Sequence, residues 1–195
     1  MILDSPGGEI RSGIVLANWI LDRCADVQVS KACASSCANY LFLAGRRKII
    51  DDGAIVIWHG SALQEDFRRL LADCPRRISE LTHSGGELVD RYLRELEDEE
   101  ARCRYFSAAV DEQNAFFARI GASEYETRMG EEPREFRALW TVSPETMAQL
   151  GIAHVEAPAN YGSHDYMRRF NRPDDPEPIL VLGFDDAGAV IERAR

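Results

Sequence analysis

Ser36 stands where the chain changes character. The alternating stretch Val27-Gln28-Val29-Ser30 reads as a strand, and the apolar run Tyr40-Leu41-Phe42-Leu43 reads as a short buried helix. A serine in the first turn of such a helix lies near unpaired N–H groups and the positive end of the dipole, which suits developing negative charge. The plainer role for Ser35 or Ser36 is to cap that helix. Two further pieces point to chemistry. Ser5-Pro6-Gly7-Gly8 opens the first helix twenty-eight residues before Ser36 and presents bare backbone amides, half of an oxyanion hole. Twenty-three residues after Ser36, the strand Ala54 to Trp58 delivers His59, a candidate general base. The order Gly-Gly, Ser, His, each at a strand end or a strand–helix junction, is that of an acyl-transfer site.

With these residues the chain resembles the Clp-protease-like branch of the crotonase superfamily, in particular the small exported Clp-like proteins of bacteria. The resemblance is carried by Leu3-Asp4-Ser5-Pro6-Gly7-Gly8, by Cys33-Ala34-Ser35-Ser36-Cys37-Ala38 through Leu43-Ala44-Gly45, by Ile57-Trp58-His59, and by Ser143-Pro144-Glu145-Thr146 through Leu150-Gly151-Ile152. It spans about residues 1 to 155. It implies an α/β fold, a spiral of repeated β-β-α units with a long handle-type helix. It implies a serine hydrolase, a Clp-like peptidase acting on a peptide or protein substrate, with Ser36 as nucleophile, His59 as base, the Gly8 and Cys37 amides as oxyanion hole, and no cofactor. A homo-oligomer joined through the handle helix follows from the same likeness. So does an opening strand and helix upstream of Met1, where a signal peptide for a periplasmic or secreted protein would also lie.

One departure bears on mechanism. The family's catalytic acid falls, without gaps, on Leu139, which cannot fill the role. Glu135 and Glu132 are the nearest carboxylates upstream. The alternatives are that one of them is re-presented by a longer loop, that the site works as a dyad, or that the chain is a non-catalytic Clp-like assembly or peptide-binding module. An acyl-CoA hydratase or isomerase is permitted by the superfamily's use of glycine amides, but a serine at the nucleophile position speaks against it.

The elements that must hold these residues are legible in outline. Residues 1–157 form the α/β domain, and 158–195 a linker and C-terminal hairpin or tail. Glu9 to Cys24 is an amphipathic helix supporting the Gly-Gly turn. Lys48-Ile49-Ile50 and Ala54 to Trp58 are strands about the turn Asp51-Asp52-Gly53. Gly60 to Gly86 is expected as a polar surface loop with a short helix near Phe67 to Ala72. Glu87 to Ile120 is the longest helical pattern, with the acidic run Glu97 to Glu100 on its solvated side. Ser143-Pro144-Glu145 starts a helix ended by Gly151, and His154 to Ala157 closes the sheet. Pro158 to Pro178 reads as an extended arm, and Ile179 to Phe184 with Ala189 to Ile191 as a terminal hairpin.

A net charge of −10 over 195 residues, with no basic patch, argues against a nucleic-acid partner. No apolar run reaches membrane-spanning length. Five cysteines without a Cys-x-x-Cys motif do not make a disulfide framework; Cys33 and Cys37 either pair or pack as small apolar groups, with packing favoured. His83, His154 and His164 read as surface residues, no residue cluster has zinc-ligand spacing, and no phosphate-binding loop is present.

Overall fold

A computed structural model describes residues 1–83, 89–130, 139–172, 174 and 176–193, with the backbone alone over 80–83 and 89–96. The fold is mixed α/β, built around a mostly parallel sheet. Strand β2 (Val27–Ala34) is its centre. Strand β1 (Ile2–Ser5) runs parallel to it on one side. On the other side β3 (Lys48–Ile50) takes the first half of β2, and β4 (Ile55–Ile57) takes the second half. Strand β6 (Val155–Glu156) adds parallel to β3. Parallel neighbours need a crossover, and helix α1 (Ile10–Asp22) supplies it between β1 and β2. Glu9 caps α1 by accepting from the Arg11 and Ser12 amides, and Gly13, Ile14, Ala17 and Ile20 form its buried stripe. The core face of β2 is Val27, Val29 and Cys33.

A smaller sheet stands beside the first. Strand β5 (Trp140–Val142) pairs parallel with β7 (Leu180–Phe184), which pairs antiparallel with β8 (Val190–Glu192). Trp58, just past β4, joins the two sheets: its N–H donates to the Trp140 carbonyl at 2.8 Å, and the Trp140 N–H returns to the Trp58 carbonyl at 2.9 Å. Helix α4 (Pro144–Gln149) is capped by Ser143 and ends at Leu150 before Gly151. The segment after residue 157 packs on the core. Tyr161 Oη accepts from the Val56 N–H at 3.0 Å, and Tyr166 Oη donates to the Ala54 carbonyl at 2.7 Å. Tyr166 belongs to the short helix α5 (His164–Met167).

The stretch expected as a surface loop after Gly60 is instead mostly helix, α2 (Glu65–His83). Phe67, Leu70, Leu71, Cys74 and Ile78 recur at helical spacing, a pattern hidden among charges and interrupted by Pro75. A proline inside a helix removes one hydrogen bond, and here packing on α3 (Val89–Ile120) outweighs that loss. Phe67 lies over Phe106 with ring centroids 4.2 Å apart, and a Cys74–Cys103 disulfide joins the two helices. The acidic run on α3 is not uniformly solvated. Glu99 is buried, with Arg77 Nε of α2 at 3.3 Å and Arg102 of its own helix on its other oxygen.

Candidate active site

Ser35 and Ser36 form a sharp elbow between β2 and the helix Cys37–Phe42, which is wound as a π-helix, a form that concentrates at functional positions. Ser35 holds the left-handed conformation, φ +57°, uncommon for a residue with a side chain. Two backbone bonds lock it there. Its N–H donates to the Ile57 carbonyl at 3.0 Å, and its carbonyl accepts from the Asn39 N–H at 2.8 Å. Ser36 follows at the N-cap position but makes no capping bond. Its hydroxyl donates instead to the Gly8 carbonyl at 2.8 Å, and the residue is 5% exposed.

The glycine turn lies directly on this elbow. Gly7 has φ +97°, and a Cβ there would stand 2.5 Å from Ser35 Cβ and 2.6 Å from the Ala34 carbonyl oxygen. Gly13, one turn into α1, approaches Ser36 Cβ to 3.2 Å by the same measure. At Gly7 only a residue without a side chain allows this approach. Among the described residues neither the Gly8 nor the Cys37 backbone N–H has a hydrogen-bond acceptor. Both therefore remain available at the elbow. Cys33 and Cys37 form a disulfide across it, with Cα atoms 5.2 Å apart, where simple apolar packing was expected. The reason is positional: the strand's last turn inward and the helix's first residue bring both buried sulfurs to one point.

His59 follows the Trp58 bridge that joins the sheets. It is exposed, and among the described residues its imidazole makes no hydrogen bond or ion pair. No hydrogen bond joins it to Ser36. The structure thus gathers Ser36, Gly8 and Cys37 at one corner and brings the loop after His59 to the serine helix, without the Ser–His bond or a carboxylate on the imidazole. Glu132 and Glu135 lie outside the described residues. Leu139 is 38% exposed at the entry to β5.

Three polar residues that sequence reasoning did not single out converge on the His59 loop or lie close by. Asn39 Nδ2 donates to the Gly60 carbonyl at 2.8 Å. Gln113 of α3 accepts at Oε1 from Tyr40 Oη at 2.7 Å and from the Ala62 N–H at 3.2 Å, while its Nε2 donates to Ser61 Oγ at 3.2 Å. Glu126, on the 3-10 turn Glu124–Thr127, is fully buried, and among the described residues neither carboxyl oxygen has a hydrogen-bond partner. Burial drives its carboxyl well above the usual range, and the Glu124 charge adds to that rise. The next residue, Thr127, places Oγ1 2.9 Å from Ser61 Oγ. Asn39 carried a signal, being the lone polar residue in an apolar run. So did Gln113, a polar residue at core spacing between Val110 and Phe117. Glu126 carried none.

Elsewhere, an open groove of about 470 Å³ is lined by Glu9, Arg11, Ser12, Val15, Leu16 and Trp19. It lies along the exposed side of α1, whereas Gly13 and Ala17 face the core, so it does not belong to the serine corner. Among the described residues no group of three or more His, Cys, Asp or Glu side chains is arranged to hold a metal ion, and no helix is long and apolar enough to cross a membrane. No family model, curated protein or solved structure matches the chain.

Proposed function

We propose that the chain is a Clp-like serine hydrolase, a peptidase, on a crotonase-type spiral. The observation that carries this reading is the placement of Ser36 at the head of a buried helix, against the Gly7-Gly8 turn, with the Gly8 and Cys37 amides unpaired. In the reaction His59 takes the Ser36 proton as Oγ attacks the substrate carbonyl. The two amides hold the oxyanion. The imidazolium then protonates the leaving amine, and water activated by His59 releases the acyl group. Association of copies through α3 belongs to the same reading and rests on the resemblance alone. Two disulfides favour an oxidising compartment.

A second reading, a non-catalytic module that retains the fold for assembly or peptide binding, is favoured by one specific observation. The Ser36 proton is held by a carbonyl, and among the described residues His59 is bonded neither to Ser36 nor to an acid. Labelling with a fluorophosphonate probe, followed by mapping of the modified residue, separates the two. Modification at Ser36 that disappears in His59→Ala supports the hydrolase. A folded protein that takes up no label supports the module.

A further inference from the structure

We propose that Asn39 is a positioning residue for His59. It fixes the peptide after the histidine to the helix Cys37–Phe42 that follows Ser36, so that the imidazole is placed through the backbone. The inference rests on the serine-hydrolase reading.

In a Ser-His-acid site the acid orients the imidazole by accepting its second N–H. Here no described carboxylate does so. The segment that carries His59 is instead tied down at each of the three residues that follow it. The Gly60 carbonyl is held by Asn39 Nδ2, the Ser61 hydroxyl by Gln113 Nε2 and Thr127 Oγ1, and the Ala62 N–H by Gln113 Oε1. Gln113 also holds Tyr40 Oη, so the second strut returns to the same helix one residue along from Asn39. On the other side of His59, both backbone groups of Trp58 are bonded to Trp140. Among the described residues the histidine is an unbonded side chain on a clamped backbone.

Asn39 is the most direct member of this clamp. It is 2% exposed, three residues from Ser36, and bonded to the residue adjoining His59. Gly60 has φ +130°, a conformation open to glycine, and a Cβ there would lie 2.7 Å from Gln64 Oε1. The peptide that Asn39 grips is therefore itself shaped for the turn. The amide's other atom, Oδ1, is buried and has no hydrogen-bond partner among the described residues. A purely structural asparagine would be expected to satisfy both ends. That an orphaned acceptor is retained is understandable if the donor end is what the site requires.

The test uses Asn39→Asp and Gln113→Ala in the full chain, with circular dichroism to establish folding. An aspartate at position 39 must be protonated to donate to the Gly60 carbonyl, and burial raises its pKa. The expected result is fluorophosphonate labelling of Ser36 slowed by about tenfold or more at pH 8, with the ratio of variant to wild-type rate rising as the pH is lowered. A pH-independent ratio would mark Asn39 as packing only and overturn the proposal. A rate at pH 8 above wild type would place Oδ1 against the imidazole as a third triad member, which also overturns it. Hydrogen exchange reads the clamp independently of catalysis. Gln113→Ala should speed exchange of the Ala62 amide, and Asn39→Asp should do so more at pH 8 than at pH 5. If wild type takes no label but these exchange changes appear, the clamp stands and the hydrolase reading falls. If they do not appear, the clamp falls.

Discussion

The Ser36 hydroxyl donates its proton to the carbonyl of Gly8, the residue whose own N–H is assigned to the oxyanion. On the hydrolase reading, the proposed nucleophile and the residue proposed to hold the oxyanion are thus in contact before any substrate arrives. On the same reading, Ser36 Oγ must leave the Gly8 carbonyl to give its proton to His59.

From that relationship, Ser36→Ala should remove hydrolysis of a peptide ester by about a thousandfold or more and leave the thermal midpoint close to wild type, since the hydroxyl makes a single hydrogen bond. Ser35→Ala keeps the backbone bonds to Ile57 and Asn39 and should retain most activity. Initial-rate measurements on the two purified variants check this; equal rates in Ser36→Ala and wild type would remove Ser36 from the reaction.

The two glycines of the turn should respond differently. Gly7→Ala forces a Cβ into the Ser35 side chain and the Ala34 carbonyl at a φ of +97°, and should destabilise the fold by about 3 kcal/mol. At Gly8 nothing lies within 4 Å of an added Cβ, so Gly8→Ala should fold normally. Urea denaturation of the pair gives the comparison.

The two disulfides should separate stability from reactivity. Cys74–Cys103 closes a loop of sequence separation 29 and Cys33–Cys37 one of 4. Loop-closure entropy then makes the first worth about 3.6 kcal/mol and the second about 2 kcal/mol. Replacing Cys74 and Cys103 by alanine should lower the melting temperature more. Replacing Cys33 and Cys37 frees the elbow on both sides of Ser36 and should slow fluorophosphonate labelling more. Melting curves and labelling rates on both double variants decide it.

Glu126 should make the protein less stable as the pH rises. Burial holds its carboxyl protonated in the folded state well above 4.5, the ordinary value that the unfolded chain recovers. Below that value both states carry the proton. Above it the unfolded chain releases the proton while the folded one keeps it, so this residue's contribution falls by up to about 1.4 kcal/mol per pH unit until the folded pKa is passed. Glu126→Gln removes the titration. Denaturant unfolding from pH 4 to pH 8 should show the variant gaining on wild type with rising pH, without a shift in the pH profile of Ser36 labelling.

The candidate site residues stood out in the sequence because each sits at a break in pattern that local rules expose: Gly7-Gly8 after Pro6, Ser36 between an alternating strand and an apolar helix, His59 at the end of a β-rich run. The Ser143 cap and Pro144 at the start of α4 were legible for the same reason, as were the turn at Asp51-Asp52-Gly53 and the long helix ending at Ile120. Those signals depend on neighbours a few residues away. What the tertiary structure alone decided depends on partners far along the chain. The helix α2 forms through contacts with α3 that override Pro75. Cys33 and Cys37 pair because the elbow folds one onto the other. Asn39, Gln113 and Thr127 converge on the residues after His59 from three separate elements, because a buried polar group must find its partner wherever packing leaves one.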